Sequence, residues 1–345
     1  MTHKTKKRKH TLLLSIPFLL LVVAVALLLT LRSKKTSNTE PYTLYVPANS
    51  TYQAVTDTLR ANGCLTSAAT WHTLARLRQY THHVKGGRYV IKPHANLWLT
   101  LTKLYYGNQD PLQLTIGKQR TPQALCNYLG QKLELHPDSL LRLMQTDSIC
   151  AAYGYTPQTI IGMFPRNTYQ IYWNTTPRAF LDRMATESKT FWTSARQKQC
   201  QALGLSQQEV LTLASIVDEE TNANEEKADI ASVYLNRLHK GMPLQADPTV
   251  KYAVGDFTLR RILTVHTQTP SPYNTYLHAG LPPGPICIPS AASIDAVLAN
   301  KETPYLYFCA RADFSGRHAF AATLAQHTAN ANAFHAELNR RKIYK

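Results

Sequence analysis

Acidic residues are scarce in this chain: 21 Asp and Glu stand against 38 Lys and Arg, for a formal net charge of +17. The excess is not a single block. Residues 1–35 hold eight Lys and Arg and no acid, which leaves +9 for the remainder, with no long basic run beyond Lys35. A diffuse positive surface of this kind favours acidic polymers or lipid headgroups. Nucleic acid, the default partner of such a charge in the cytosol, is disfavoured by the topology read below. Paired cysteines are also missing. The six (Cys64, Cys126, Cys150, Cys200, Cys287, Cys309) include no C-x-x-C, which excludes an evident zinc knuckle or thioredoxin-type motif. An oxidising compartment would permit a disulfide, while buried free thiols suit a chain with a large core. No serine has Lys three residues on, which excludes the S-x-x-K nucleophile. None of the 13 histidines precedes Glu, which excludes H-E-x-x-H zinc chemistry. No metal or cofactor is called for; His318 and His327 could ligate a metal, and satisfied surface or core histidines are the plainer reading.

What is present begins with Leu12–Leu31, an uncharged run rich in Leu, Val and Ala. At about 20 residues it is long enough to span a bilayer, and longer than the apolar core of a cleaved signal peptide. Its small-x-small pair, Ala24-Val25-Ala26, lies inside the run, and no Cys follows before Cys64, which argues against a lipoprotein. The basic residues of 1–10 orient the N-terminus toward the cytoplasm. The expectation is a cytoplasmic tail (1–10), a single transmembrane helix (11–32) in the cell inner membrane and a polar linker (33–41), with the rest extracytoplasmic.

The fold expected beyond it is α+β in two domains. Tyr42–Val46 alternates like a strand, 51–65 and 69–77 have helical spacing, Gly86–Ile91 reads as turn and strand, and Leu97–Tyr106 as helix. These form a small αβ module, 42–107. Leu112–Ile116 reads as a strand leading to helices at 121–133 and 137–145, within a larger domain, 108–345.

That domain carries an unusual acid. In Leu211-Thr-Leu-Ala-Ser-Ile-Val-Asp-Glu-Glu220, Val210, Leu213 and Val217 form the apolar stripe of a helix. At about 100° per residue Glu220 continues the stripe, some 20° from Leu213, whereas Asp218 and Glu219 fall well off it as solvated charges. Desolvation against that stripe would raise the Glu220 pKa and suit it to general acid catalysis. The plainer alternative is a helix end where Glu220 pairs with a cation such as Arg237. Three turns follow: Leu244–Thr249, Pro272–Tyr276 and Gly280–Ile286. Their Asn, Gln, Asp and Tyr side chains suit the walls of a sugar-binding groove, or ordinary turn chemistry.

Ala214-Ser-Ile-Val-x-x-Glu220-Thr, Leu244-Gln-x-Asp-Pro-Thr-Val250, Tyr273-Asn-Thr-Tyr276, Gly280-Leu-Pro-Pro-Gly284 and Thr303-Pro-Tyr-Leu-Tyr-Phe308 occur in a fixed order, followed by His318, Phe320 and His327. In this order they resemble the endolytic murein transglycosylase (YceG-like) family. The resemblance implies a lytic transglycosylase of peptidoglycan that cleaves between N-acetylmuramic acid and N-acetylglucosamine, with a LysM-like subdomain at 42–107. It implies Glu220 as the catalytic acid/base, leaving 1,6-anhydro ends and limiting strand elongation, and peptidoglycan synthases as partners. Sugar-holding candidates are Gln245, Asp247, Thr249, Asn274, Tyr276, Tyr169 and His318, with Asp247 open to a helix-cap or turn role instead.

The chain departs from the family pattern at Asp218, where Glu is commoner, and around Gly162–Tyr169. There Ile161 replaces an acid, and Arg166-Asn167 stands in place of Pro-Asp. Two other readings stay open: a non-catalytic glycan-binding scaffold and a hydrolytic muramidase.

Overall fold

The computed structural model describes the backbone of residues 3–259 and 261–341, and side chains from Phe18 onward within that range. In chain order the elements are α1 (His3–Arg32), β1 (Tyr42–Val46), α2 (Tyr52–Ala61), α3 (Ala68–Arg78), β2 (Gly87–Ile91), α4 (Leu97–Tyr106) and β3 (Leu112–Ile116). Next come α5 (Pro122–Lys132), α6 (Pro137–Met144), α7 (Asp147–Ala152), β4 (Asn167–Ile171), α8 (Pro177–Phe191), α9 (Ser194–Leu203), α10 (Gln207–Glu220) and α11 (Lys227–His239). The chain ends with α12 (Asp247–Val254), α13 (Thr264–Thr267), α14 (Ala291–Leu298), β5 (Tyr307–Ala310), β6 (His318–Ala321) and α15 (Leu324–Arg340). The mixed α+β expectation holds, with strands paired two by two: β1 with β2, β3 with β4, β5 with β6.

The transmembrane expectation is corrected. Among the described residues no helix is long and apolar enough to cross a membrane. The tail at 1–10 and the first residues of the expected span, 11–17, fall outside the residues whose side chains are described.

The chain divides into two compact units, residues 1–113 with 170–175, and residues 114–169 with 176–345. In the first, β1 and β2 run antiparallel with Leu44 opposite Tyr89 and Val46 opposite Gly87. Alternation buries Leu44, Val46, Tyr89 and Ile91 on one face, against Trp71, Leu74, Leu101 and Leu104 of α3 and α4. Residues 33–41, read from composition as a tether, are mostly exposed but anchored at two positions. Thr36 and Asn38 are buried, and the backbone N–H groups of Thr36 and Ser37 donate to Ala95 and Cys64.

In the second unit α10 is the central helix. Every residue from Val210 to Asp218 is buried, because α9, α11, α12 and α14 pack around it. Its start is fixed by a capping box: Ser206 Oγ accepts from the Glu209 N–H, and the Glu209 carboxylate accepts from the Ser206 N–H. The Gly280–Ile286 turn clamps its middle. Ser215 Oγ accepts from the Ile286 N–H at 2.9 Å, and a Cβ on Gly284 would stand 2.2 Å from the Gln158 carbonyl oxygen. Only glycine allows that approach. All six cysteines are free thiols, five of them buried.

Candidate active site

Glu220 is the last residue of α10, and its carboxyl opens into a cavity of about 310 Å³. The cavity is walled by the ends of α10, α11 and α12, the β5–β6 hairpin and the first turns of α15. Tyr234 of α11, buried against Phe308, donates its hydroxyl to Glu220 Oε1 at 2.5 Å. Burial pushes the Glu220 carboxyl up to about 7; the Tyr234 bond and the Lys251 charge pull it down, while Asp247 and Glu219 push it further up. The negative end of the α10 dipole also opposes an anion at this position. Glu220 is therefore a carboxyl that exchanges its proton near neutral pH, as general acid–base chemistry requires.

Arg237, the cation named in the plainer reading, lines the cavity without pairing with Glu220. Its guanidinium donates to the carbonyls of Leu306, Pro243 and Leu244 and to Gln245 Oε1, which ties β5 to the 243–245 turn.

Of the sequence candidates, Gln245, Asp247, Tyr276 and His318 meet Glu220 in this cavity. Gln245 has a left-handed backbone, φ 51°, which turns the chain so that Gln245 and Asp247 both face the opening. Asp247 is the first residue of α12 and caps nothing with its side chain; it accepts the Tyr276 hydroxyl at 2.7 Å. His318 opens β6, and its Nδ1 lies 3.1 Å from Glu226 Oε2, while its backbone N–H donates to Glu226 Oε1. Nε2 is the ring nitrogen left for a ligand.

Thr249, Asn274 and Tyr169 do not reach the cavity. Thr249 is buried and bonded to the Ala246 carbonyl and the Thr275 hydroxyl. Asn274, also buried, donates to the carbonyls of Thr267 and Thr269 and accepts from the Tyr276 N–H. Both hold the turns that carry Asp247 and Tyr276. Tyr169 is buried in β4 with its hydroxyl on the Pro165 carbonyl. The Gly280–Ile286 turn, expected as a third wall, supports α10 and lines nothing here.

Sequence reasoning missed Tyr234, Phe308 and His327 as walls of the site. A tyrosine in an otherwise apolar helical stripe was the available signal for the first, since a buried hydroxyl needs a partner. His327 stacks on Tyr307, and burial together with Arg237 lowers its pKa.

Asp218 corrects a second expectation. It is not solvated but buried, on the far side of α10 from the cavity. Its carboxylate meets Arg166 at 2.6 Å, Lys118 at 3.0 Å and Lys227 at 3.3 Å, and accepts the hydroxyls of Ser290 and Ser293, each at 2.6 Å. Burial alone would push its carboxyl up; the two serine bonds, Arg166 and Lys118 outweigh it and hold the group well below the usual carboxylate range. Glu219 pairs with Arg120 at 2.9 Å. The amphipathic-helix premise fails because α10 is packed on all sides.

The sequence profile of the YceG-like family matches residues 44–333. A protein of Bacillus subtilis named endolytic murein transglycosylase is 44% identical over 123 residues, covering 36% of this chain and 33% of its own. One of the same name from Streptococcus pneumoniae is 27% identical over 306 residues, covering 79% of this chain and 55% of its own. The chain thus spans about half the length of the pneumococcal relative and a third of the Bacillus one. The crystal structure of a putative YceG-like protein from Listeria monocytogenes superposes with a TM-score of 0.58 at 26% identity, covering 85% of this chain and 99% of that one.

Proposed function

The chain belongs to the YceG-like family, and we propose that it is an endolytic lytic transglycosylase that cleaves peptidoglycan glycan strands outside the cytoplasm. The observation that carries the reading is the Glu220 carboxyl, raised to about 7 at the wall of an open polar cavity and held by Tyr234. Protonated, Glu220 donates to the glycosidic oxygen between N-acetylmuramic acid and N-acetylglucosamine, and the C1–O bond breaks. The carboxylate then takes the proton of the muramyl C6 hydroxyl as that oxygen bonds to C1. The product is a 1,6-anhydro end, and no water is consumed. One group serves as acid and then base, which a hydrolase would divide between two carboxylates. Gln245, Asp247, Tyr276 and His318 hold the sugar, and the 42–107 segment is a further glycan contact.

Asp247 favours a second reading. It shares the cavity with Glu220, so a hydrolytic muramidase with Asp247 as the second carboxylate has both groups in place. Tyr276 already occupies one Asp247 oxygen, which weakens but does not remove that role.

The test is mass spectrometry of glycan strands incubated with the full chain and with Glu220→Gln. Anhydro ends that vanish in the variant support the proposal. Reducing ends would assign the hydrolase. Strand binding without cleavage would leave a glycan-binding scaffold.

A further inference from the structure

The largest cavity described in the second unit is not the one at Glu220. A cleft of about 440 Å³ lies at the opposite end of α10, between the 152–155 turn, α8 and the start of α9. No carboxylate lines it. Its polar groups are amides, hydroxyls and one cation, Lys189, and its apolar surface comes from Tyr155, Trp192 and Ala185.

Two of the amides are fixed in a particular sense. Gln197 Nε2 donates to the Trp192 carbonyl at 2.9 Å, and Gln208 Nε2 donates to the Gly154 carbonyl. A carbonyl partner settles which end of each amide is nitrogen. Both Oε1 atoms are therefore left as oriented acceptors, and neither has a protein donor among the described residues. Tyr155 and Ser188 share a hydroxyl pair at 3.2 Å beside them. Held acceptors next to an aromatic ring, without a negative charge, match a ligand that offers several hydroxyl and amide donors on a partly apolar frame. Nucleic acid or a phosphate group would ask for donors and positive charge instead.

We propose that this cleft is a second saccharide site, binding N-acetylated hexosamine units of the same glycan strand; the proposal rests on the transglycosylase reading above. Gln208 and Glu220 lie on one continuous helix, 12 residues and so about 18 Å apart along its axis. That is several sugar units, a spacing that lets one strand occupy both places. Strands long enough to do so would bind more tightly than fragments confined to the Glu220 cavity, by the effective concentration that joined contacts supply.

The test uses the full chain with two variants that act differently, Gln197→Ala/Gln208→Ala to remove the acceptors and Ala185→Trp to fill the cleft. KM is measured on long strands and on oligosaccharides too short to reach from one cavity to the other, beside thermal melting of each protein. The expected result is a KM about tenfold higher for long strands, unchanged KM for short ones and unchanged kcat on both. Long-strand KM within twofold of the parent in both variants would overturn the proposal, as would an equal rise on long and short substrates. If the parent chain cleaves nothing, the transglycosylase reading has failed by itself. The cleft is then scored by titration calorimetry of long strands against parent and variants, where equal affinities would reject it.

Discussion

Asp218 and Glu220 stand two residues apart on α10, yet the regions around them are electrostatic opposites. Asp218 faces three cations and two hydroxyls inside the packed unit, and its anion is over-compensated. Glu220 faces a cavity with one hydroxyl donor and another carboxylate nearby, and its anion is under-compensated. The first arrangement fixes a helix in place; the second leaves a proton to be exchanged. Burial is common to both, so desolvation alone does not make a catalytic acid. The partners decide.

The largest effect that would break the comparison concerns rate. Glu220→Gln is expected to lower formation of anhydro ends by about 10²–10⁴, the usual range for removing a positioned acid–base group. Asp218→Asn keeps one acceptor oxygen but sets an amide NH2 against donors that the carboxylate now accepts, and it should retain activity in whatever fraction stays folded. Equal losses in the two variants, with both fully folded by circular dichroism, would erase the distinction.

Stability should respond the other way round. Asp218→Ala leaves Arg166, Lys118 and Lys227 facing one another without the carboxylate, and a broken buried ion pair costs about 3–5 kcal/mol. Urea denaturation at pH 7 measures this; a loss under about 1 kcal/mol would mean that solvent already screens the cluster. The pH dependence has a definite sign. The folded Asp218 carboxyl titrates below its unfolded value, so its contribution is full above the unfolded pKa and is lost as pH falls toward the folded one.

Glu220 has the opposite sign and a smaller magnitude. Its folded pKa of about 7 lies above the ordinary glutamate value of 4.5. Between these the folded protein holds a proton that the unfolded chain has released, so stability falls as pH rises through the window. Glu220→Gln should therefore be more stable than the parent above pH 7, by something of order 2 kcal/mol, with the gap closing toward pH 4.5. Melting curves at both ends check it. A variant less stable than the parent at pH 8 would place the Glu220 anion among those the fold stabilises.

These contrasts also show what was legible in the sequence. The strands at 42–46 and 112–116 and the helices at 97–106 and 137–144 were readable, because alternation and 3.6-residue spacing express one buried face. The same logic singled out Glu220 and misjudged Asp218, since a helix packed on every side has no solvent face to predict. Arg166, which departs from the family pattern in sequence, is paired with Asp218 in the fold, 52 residues away; no local pattern encodes that meeting. Of the turn residues, Thr249 and Asn274 share the polar composition of Asp247 and Tyr276. Composition could not say which of them point inward to brace the turn.

A weaker effect tests the far wall of the cavity. Glu226 holds His318 by both the ring and the backbone. Glu226→Gln should raise KM for glycan strands roughly fivefold, about the worth of one hydrogen bond, with kcat little changed. A fall in kcat at constant KM would instead give His318 a part in the chemical step.

The finest distinction lies in what tunes Glu220 itself. Tyr234 stabilises the carboxylate by donating to it, and Asp247 destabilises it by its charge. Under the acid role proposed for Glu220, activity declines as pH rises through its pKa. Tyr234→Phe removes the stabilising donor, so the pKa rises and the alkaline limb of the kcat/KM profile moves to higher pH. Asp247→Asn removes the neighbouring negative charge, so the pKa falls and the limb moves to lower pH. Opposite displacements from two substitutions in one cavity are hard to obtain from altered packing, which would lower the plateau without moving the limb. If both variants displace the limb in the same direction, or neither does, the titrating group is not Glu220.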